Sequence, residues 1–482
     1  MSKSEGKSFN YWMKLLSGPL VCLLVYLIPI PGMELNGHIT VALFAWLICW
    51  WSLKPVPWVI TSFVPILFFP AVGLLSIKEV APFYGNPIFQ MLMGVFLLSI
   101  AIEKHGISER LTLTFLTVKW VKGSVMRMMF MFMVVSAILA ATISASGLAV
   151  LIPIGAASIA TLVKKYEEKG IQVSVAKLGT TFTLAALYGA EAGCIMTPLG
   201  APHNVISISL LEETTGTTIT FMQWMLTGLI IGTVLLLLGY FVIKLLFKPG
   251  IEKLPGEFDE FKNQLKALGP MKNAEKMVIL SLVVMAVMVI LPTVVPVLAF
   301  MNIYWVVAFI GLFLCMLPSE KGEALLSIKD VSTKINWEIT FLATTGVAMA
   351  SLLAKFGAIE YLSIQLASLD GIVLLIAAVL ATIILTNFVS GTAATTAMVT
   401  ILFPIIGNIG VHPAAVARII PALAVGMIFP WAGATAATAF SSGFISIKDM
   451  TKGGLIMTAI FFVVCIVGYV FLVPLLGAFK VL

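Results

Sequence analysis

The chain returns repeatedly to apolar runs of about twenty residues, from 15–32 near its start to 453–477 near its end. A helix of that length matches the roughly 30 Å hydrocarbon core of a bilayer. Lipid offers no partner to backbone N–H and C=O groups, so helices are the spanning form open to such runs. The reading is an all-α polytopic membrane protein with about eleven transmembrane helices. Charged residues make up only 11% of the 482 positions and apolar residues 60%, whereas soluble domains are roughly 25% charged.

The net charge of +7 gathers in short loops, Lys104 to Arg127, Lys164 to Lys177 and Lys244 to Lys276. Basic residues so placed set topology and meet anionic headgroups, which implies membrane lipid as a partner and no nucleic acid. Lys3, Lys7 and Lys14 put the N-terminus on the cytoplasmic side of a multi-pass protein of the cell membrane. The first apolar run lacks a small-residue cleavage site and reads as a retained helix. The five cysteines stand singly in apolar stretches, as small hydrophobes do. No nucleotide loop of the Gly-x-x-x-x-Gly-Lys type is present. No acid/base or metal cluster lies at membrane depth, so neither an enzyme nor a cofactor is expected.

A polar stretch divides the chain into three parts: 1–247, a first repeat with N-terminal helices; 248–276, a polar cytoplasmic linker; and 277–482, a second repeat. Glu103-Lys104-His105-Gly106-Ile107 and Ala354-Lys355-Phe356-Gly357-Ala358 share lysine and glycine at one offset, since 355 − 104 = 251 and 357 − 106 = 251. Each phrase follows a segment, 82–104 or 335–355, with small residues near its middle. Each segment is expected to enter and leave the membrane on one side as a re-entrant hairpin.

Each half then carries two small polar interruptions between apolar runs. The first half has Ser144-Ala145-Ser146-Gly147 and Thr197-Pro198-Leu199-Gly200-Ala201-Pro202-His203-Asn204. The second has Ser390-Gly391-Thr392-Ala393 and Pro430-Trp431-Ala432-Gly433-Ala434-Thr435. Helices broken at corresponding places in two repeats point to a secondary transporter's midplane site. A helix that starts there offers free N–H groups and the positive end of its dipole, which suits a carboxylate. Hydroxyls add hydrogen bonds without fixed charge, and glycine lets backbone approach the ligand. Small residues also let helices pack closely, the competing reading for any one serine.

This order of elements resembles the divalent anion/sodium symporter family, the dicarboxylate and citrate carriers. The resemblance rests on Ala101 to Gly106, the Trp337-Glu338-Ile339 start, Gly200-Ala201-Pro202-His203-Asn204, and Phe440 to Met450. It implies two inverted repeats, each with a re-entrant hairpin and broken helices, in an elevator-type carrier that is commonly a dimer. In that family a Ser-Asn-Thr triplet in each half holds the substrate carboxylates, and its asparagines help to bind sodium. The matching triplets here are Ser144-Ala145-Ser146 and Ser390-Gly391-Thr392, without either asparagine. After Pro430 the family's Thr-Pro-Pro-Asn is replaced by Gly433-Ala434-Thr435-Ala436.

The resemblance thus implies substrate contacts at Ser144, Ala145, Ser146, Gly147, Thr197, Pro198, Gly200, Ala201, Pro202, Asn204, Ser390, Gly391, Thr392, Gly433, Ala434 and Thr435. No metal ligand is implied. The expected function is sodium-independent exchange of C4 or C5 dicarboxylates, with sodium- or proton-coupled symport as the alternative and an anion channel a more distant one. Glu191, six residues before Thr197, is an ionisable group at membrane depth and so a functional candidate. It could carry a proton or pair with Arg418, or either residue could snorkel to an interface. His203, where the family has proline, is expected to fill the turn.

Overall fold

The structure, a computed structural model, describes residues 8–478 apart from 123, 144–154, 156–158, 160–162, 165, 169–171, 253–258, 294, 299, 321, 367–369 and 409. Regular structure among these is helical. Among the described residues, seven helices are long and apolar enough to cross a membrane, and six shorter apolar ones accompany them. Phe221–Leu246 leaves Leu229, Ile230, Leu237, Phe241 and Leu245 exposed, and Ile447–Ala478 exposes Leu455, Val463, Val467 and Phe471. Apolar faces of that size outside a protein core belong against lipid.

The chain forms two compact units. One comprises Met1–Gln90, Val205–Ile219 and Asn336–Ala424, the other Met91–Asn204, Thr220–Ile335 and Val425–Leu482. Each therefore draws on both sides of the 248–276 stretch. The first unit's core joins Trp46, Trp50, Trp51, Trp58 and Phe69 to Leu342, Met349, Leu352 and Leu353 of Trp337–Lys355. Trp50 Nε1 donates to the Leu15 carbonyl at 3.1 Å and Trp58 Nε1 to that of Trp51 at 3.2 Å, so these indoles are buried with their donors satisfied. In the second unit Val125–Ile143 packs on Val175–Cys194. A Cβ at Gly189 would lie 2.4 Å from the Met133 carbonyl oxygen, and one at Gly193 would lie 2.2 Å from that of Ala137. Two glycines one turn apart thus bring the helix backbones together.

The segments expected to be hairpins at 82–104 and 335–355 are instead continuous helices over most of their length, Pro87–Lys104 and Trp337–Lys355. Asn86 Oδ1 accepts from Ile88 N–H at 3.0 Å at the start of one, and Asn336 Oδ1 from Ile339 N–H at 3.2 Å at the start of the other. Their mid-helix glycines serve packing. A Cβ at Gly94 would lie 2.3 Å from the Val307 carbonyl oxygen, and one at Gly346 would lie 2.1 Å from Thr396 Cγ2. Glycine inside a helix costs only about 1 kcal/mol, too little to turn the chain without a proline. Both helices then end at a left-handed glycine, Gly106 at φ 73° and Gly357 at φ 75°, before short helices Ile107–Leu116 and Ala358–Leu366. The repeat read from the lysine and glycine offsets therefore recurs as the same sequence of elements.

A hairpin of short helices lies further on. Gly371–Thr386 and Gly391–Leu402 have 16 and 12 residues, are joined by four, and pack on one another. At 1.5 Å per residue they are about 24 and 18 Å long, each short of a bilayer core. Asp370 caps the first and Ser390 the second.

Candidate functional site

The first break follows Val175–Cys194. Thr197 and Ala201 are extended, the turn Pro198–Gly200 lies between them, and a new helix, Pro202–Thr215, begins. Such a break leaves carbonyls at a helix end without partners. Asn204 Nδ2 supplies them, donating to the carbonyls of Cys194 at 2.7 Å and Thr197 at 3.0 Å. Thr197 Oγ1 donates to the Ala141 carbonyl at 2.5 Å. A Cβ at Gly200 would lie 2.3 Å from the Cys194 carbonyl oxygen, so the chain folds back only because this residue is glycine. Pro198 and Ala201 are buried beside it, and Pro202 sits at the first helical position, where proline has no N–H to lose. The side chains of Thr197 and Asn204 thus bind backbone and fix the break's shape.

The second break is longer. Residues 424–433 are non-helical and mostly buried, and Gly433, fully extended, precedes Ala434–Ser441. The two breaks share a buttress. A Cβ at Gly228 of Phe221–Leu246 would lie 2.5 Å from the Ile195 carbonyl oxygen, and one at Gly454 of Ile447–Ala478 would lie 2.2 Å from that of Met427. Each of these helices therefore lays a glycine on the backbone of a break.

Thr435, in the first turn after Gly433, donates through Oγ1 to Glu191 Oε1 at 2.6 Å. Glu191 is 4% exposed. A carboxylate from the first half is thus seated at the restarted helix of the second. Sequence reasoning singled out both residues but did not join them. Arg418, in the other unit, is buried and donates through Nη1 to the Ala414 carbonyl at 2.6 Å. Glu191 and Arg418 each have a hydrogen-bond partner within their own unit.

Ser390 lies in the turn of the short-helix hairpin. Its Oγ accepts from Ala393 N–H at 3.2 Å, which leaves the hydroxyl proton to donate. Thr392 is 8% exposed in the first turn. A Cβ at Gly391 would lie 2.2 Å from the Ala424 carbonyl oxygen, which also accepts from Thr386 Oγ1 at 2.9 Å. Gly391 is therefore where two backbones meet, and no side-chain oxygen fits there. Ser144, Ala145, Ser146 and Gly147 lie outside the described residues, as does the side chain of Ala434.

Capping boxes were a further signal in the sequence that motif reading passed over. Ser-Ile-Lys followed by an acid occurs at Ser76–Glu79, Ser327–Asp330 and Ser446–Asp449. The first two are 251 residues apart, and at each the serine hydroxyl and the acid three residues on are joined.

The described residues thus form a helical multi-pass membrane protein with broken helices and a short-helix hairpin. Residues 9–478 match the family described as the sodium:sulfate symporter transmembrane region, and the chain belongs to that family. Among curated relatives it is similar to the sodium-dependent dicarboxylate transporter SdcS of Staphylococcus saprophyticus, 28% identical over 98% of this chain and 94% of that one. SdcS of Staphylococcus aureus is 29% identical with the same coverage. Among solved structures, Neisseria gonorrhoeae MtrF, whose report describes a class of antimetabolite efflux pumps, aligns with a TM-score of 0.58 and 14% identity. That alignment covers 94% of this chain and 97% of the other, a likeness of fold.

Proposed function

We propose that this chain is a secondary carrier that exchanges C4 and C5 dicarboxylates (succinate, malate, fumarate, 2-oxoglutarate) without sodium. It works as an elevator of two inverted repeats, in a homodimer in the cell membrane with its N-terminus cytoplasmic. The relatives named for dicarboxylate transport support the substrate class. Hydroxyls at Ser390 and Thr392 beside a helix N-terminus, with Ser144 and Ser146 in the matching place, supply donors for two carboxylates. Thr197, Gly200 and Asn204 shape the first break.

The observation that carries sodium independence is Gly391. Where the resemblance calls for an asparagine oxygen on sodium, this position carries no side chain, and its Cβ direction runs into the Ala424 carbonyl 2.2 Å away. A hard cation needs several oxygens, and this site has lost one. With no sodium gradient coupled to the carrier, return of the empty carrier is undriven and exchange is favoured. The second reading, sodium-coupled symport, is favoured by the relatives, which are named sodium-dependent. Counterflow in proteoliposomes separates the two. Uptake of labelled succinate that requires internal dicarboxylate and ignores sodium is expected, and uptake into empty vesicles driven by a sodium gradient overturns the exchange reading.

A further inference from the structure

Glu191 has a neutral partner in a place that does not welcome charge. Its Oε1 accepts from Thr435 Oγ1, and its side chain is almost fully buried near the end of Val175–Cys194. On that helix Tyr188 and Cys194 are neutral, and Lys177 is fourteen residues away, about 21 Å along the axis. The packed helices carry their charges elsewhere. Gly189 meets Met133 and Gly193 meets Ala137, so Glu191 is level with residue 135 and Arg127 of Val125–Ile143 lies eight residues, about 12 Å, away. Gly232 meets Ala192 and Met196, so Lys244 lies twelve residues, about 18 Å, away, and Tyr240 between them is neutral. In Ile447–Ala478, Lys452 lies over the Phe247 ring at 5.9 Å, Asp449 is bound by Ser446, Lys448 stands in the first turn, and Cys465 and Tyr469 are neutral. The Pro198–Gly200 turn and Ala434–Ser441 carry no titratable residue, and His203 stands beyond the first break. Among the described residues, then, the carboxylate's hydrogen-bond partner is a hydroxyl and not a cation.

An ionised carboxylate buried with one hydroxyl for company is costly, whereas a proton removes the charge and turns the group into a donor. We propose that Glu191 and Thr435 form a proton-binding site whose proton travels with the dicarboxylate. Thr435 sits at the restarted helix of the second break, so the proton on Glu191 lowers the negative charge held there while a dianion is bound. The part concerning the dicarboxylate rests on the function proposed above, and the proton site itself does not.

Infrared difference spectra of the purified full chain in lipid, taken from about pH 5 to 8, test the site directly. A carbonyl stretch of a protonated carboxylic acid that titrates in wild type and is absent from Glu191→Gln is expected. No Glu191-dependent band across that range overturns the proposal, as does a band that sodium abolishes at fixed pH, which would assign the site to a metal cation. The second arm measures binding of fumarate, whose carboxyls stay ionised over most of this range. Wild-type affinity should fall up to tenfold per pH unit on the alkaline side, and Glu191→Gln should remove that slope. The same slope in both proteins overturns the coupling. Because glutamine keeps the shape of the side chain, an unchanged melting temperature certifies the variant's fold. A titrating band in a protein that binds no dicarboxylate leaves the proton site standing and sinks the substrate reading.

Discussion

Lys104 Nζ donates to Asp330 Oδ2 at 2.7 Å, and at the positions offset by 251 from each, Lys355 and Glu79 face one another at 4.0 Å. Each acid closes a capping box on its own turn and reaches a lysine of the other repeat, so the two contacts are reciprocal. They differ in burial. Asp330 is 12% exposed and Lys104 32%, whereas Glu79 and Lys355 are 55% and 52% exposed. Burial by itself would push the Asp330 carboxyl up, but hydrogen bonds from Lys104 and Ser327 outweigh it and hold the group well below the usual carboxylate range.

Unequal burial predicts unequal cost. Asp330→Asn leaves Lys104 with a neutral partner in a partly buried place and should lower stability by about 1–3 kcal/mol. Glu79→Gln removes an exposed contact of the kind that contributes little. Melting temperatures of the purified variants in one detergent should show the larger drop for Asp330→Asn. Equal drops would mean that burial does not decide the strength of these pairs.

The same pair has a pH signature. The folded protein holds the Asp330 carboxyl below its unfolded value of about 3.9, so its contribution is fully present above that value and is lost as pH falls towards the folded one. The difference in stability between wild type and Asp330→Asn should be level above about pH 5 and shrink below about pH 4. Thermal melts of both proteins across that range check it. A difference that instead shrinks as pH rises contradicts the assignment of Asp330 as the titrating group.

Much of this was legible because membrane-spanning helices announce themselves by length and apolarity, and because lysine and glycine at one offset exposed the repeat. The hairpins were misplaced for a physical reason. Small residues at the middle of a segment can mark a turn or a close helix contact, and only the neighbouring helix, through the Val307 backbone at Gly94 and the Thr396 side chain at Gly346, distinguishes the two. Thr197 and Asn204 stood out in the sequence as candidate substrate contacts, whereas no local pattern showed that Asn204 ties the first break to its own carbonyls and Thr197 ties it to the carbonyl of Ala141. Glu191 and Thr435 lie 244 residues apart, and no local pattern could pair them. The Ser-Ile-Lys-acid boxes were fully readable in the sequence.

At the hairpin turn two neighbouring substitutions should separate. Ser390→Ala removes a cap and should cost about 1 kcal/mol of stability, with a weaker apparent affinity for dicarboxylate if the hydroxyl donates to it. Gly391→Ala places a methyl group 2.2 Å from the Ala424 carbonyl and should cost about 1–3 kcal/mol. Gly391→Asn should be worse still and should not create sodium dependence. Melting temperatures with counterflow in the presence and absence of sodium measure all three. A stable Gly391→Asn protein that gains sodium-driven uptake would show that the backbone yields and that the lost oxygen alone set the coupling.

The glycine buttress gives a paired prediction for the two breaks. Gly228→Ala and Gly454→Ala each drive a methyl group to within 2.5 and 2.2 Å of a carbonyl oxygen, at Ile195 and Met427. Those carbonyls belong to backbone that enters a break already fixed by Asn204 in one repeat and by a close turn at Gly426 in the other. Neither segment can retreat cheaply, so each variant should lose about 1–3 kcal/mol and transport dicarboxylate more slowly. Gly239, on the same helix as Gly228, is the control. A Cβ there meets only side-chain atoms, with Met133 Cε and Met457 Cε nearest at 3.3 Å, and methionine can move aside. Gly239→Ala should therefore be neutral or slightly stabilising, since alanine is the better helix former. If Gly239→Ala damages dicarboxylate transport as much as Gly228→Ala does, the effect belongs to the helix as a whole and not to its contact with the break.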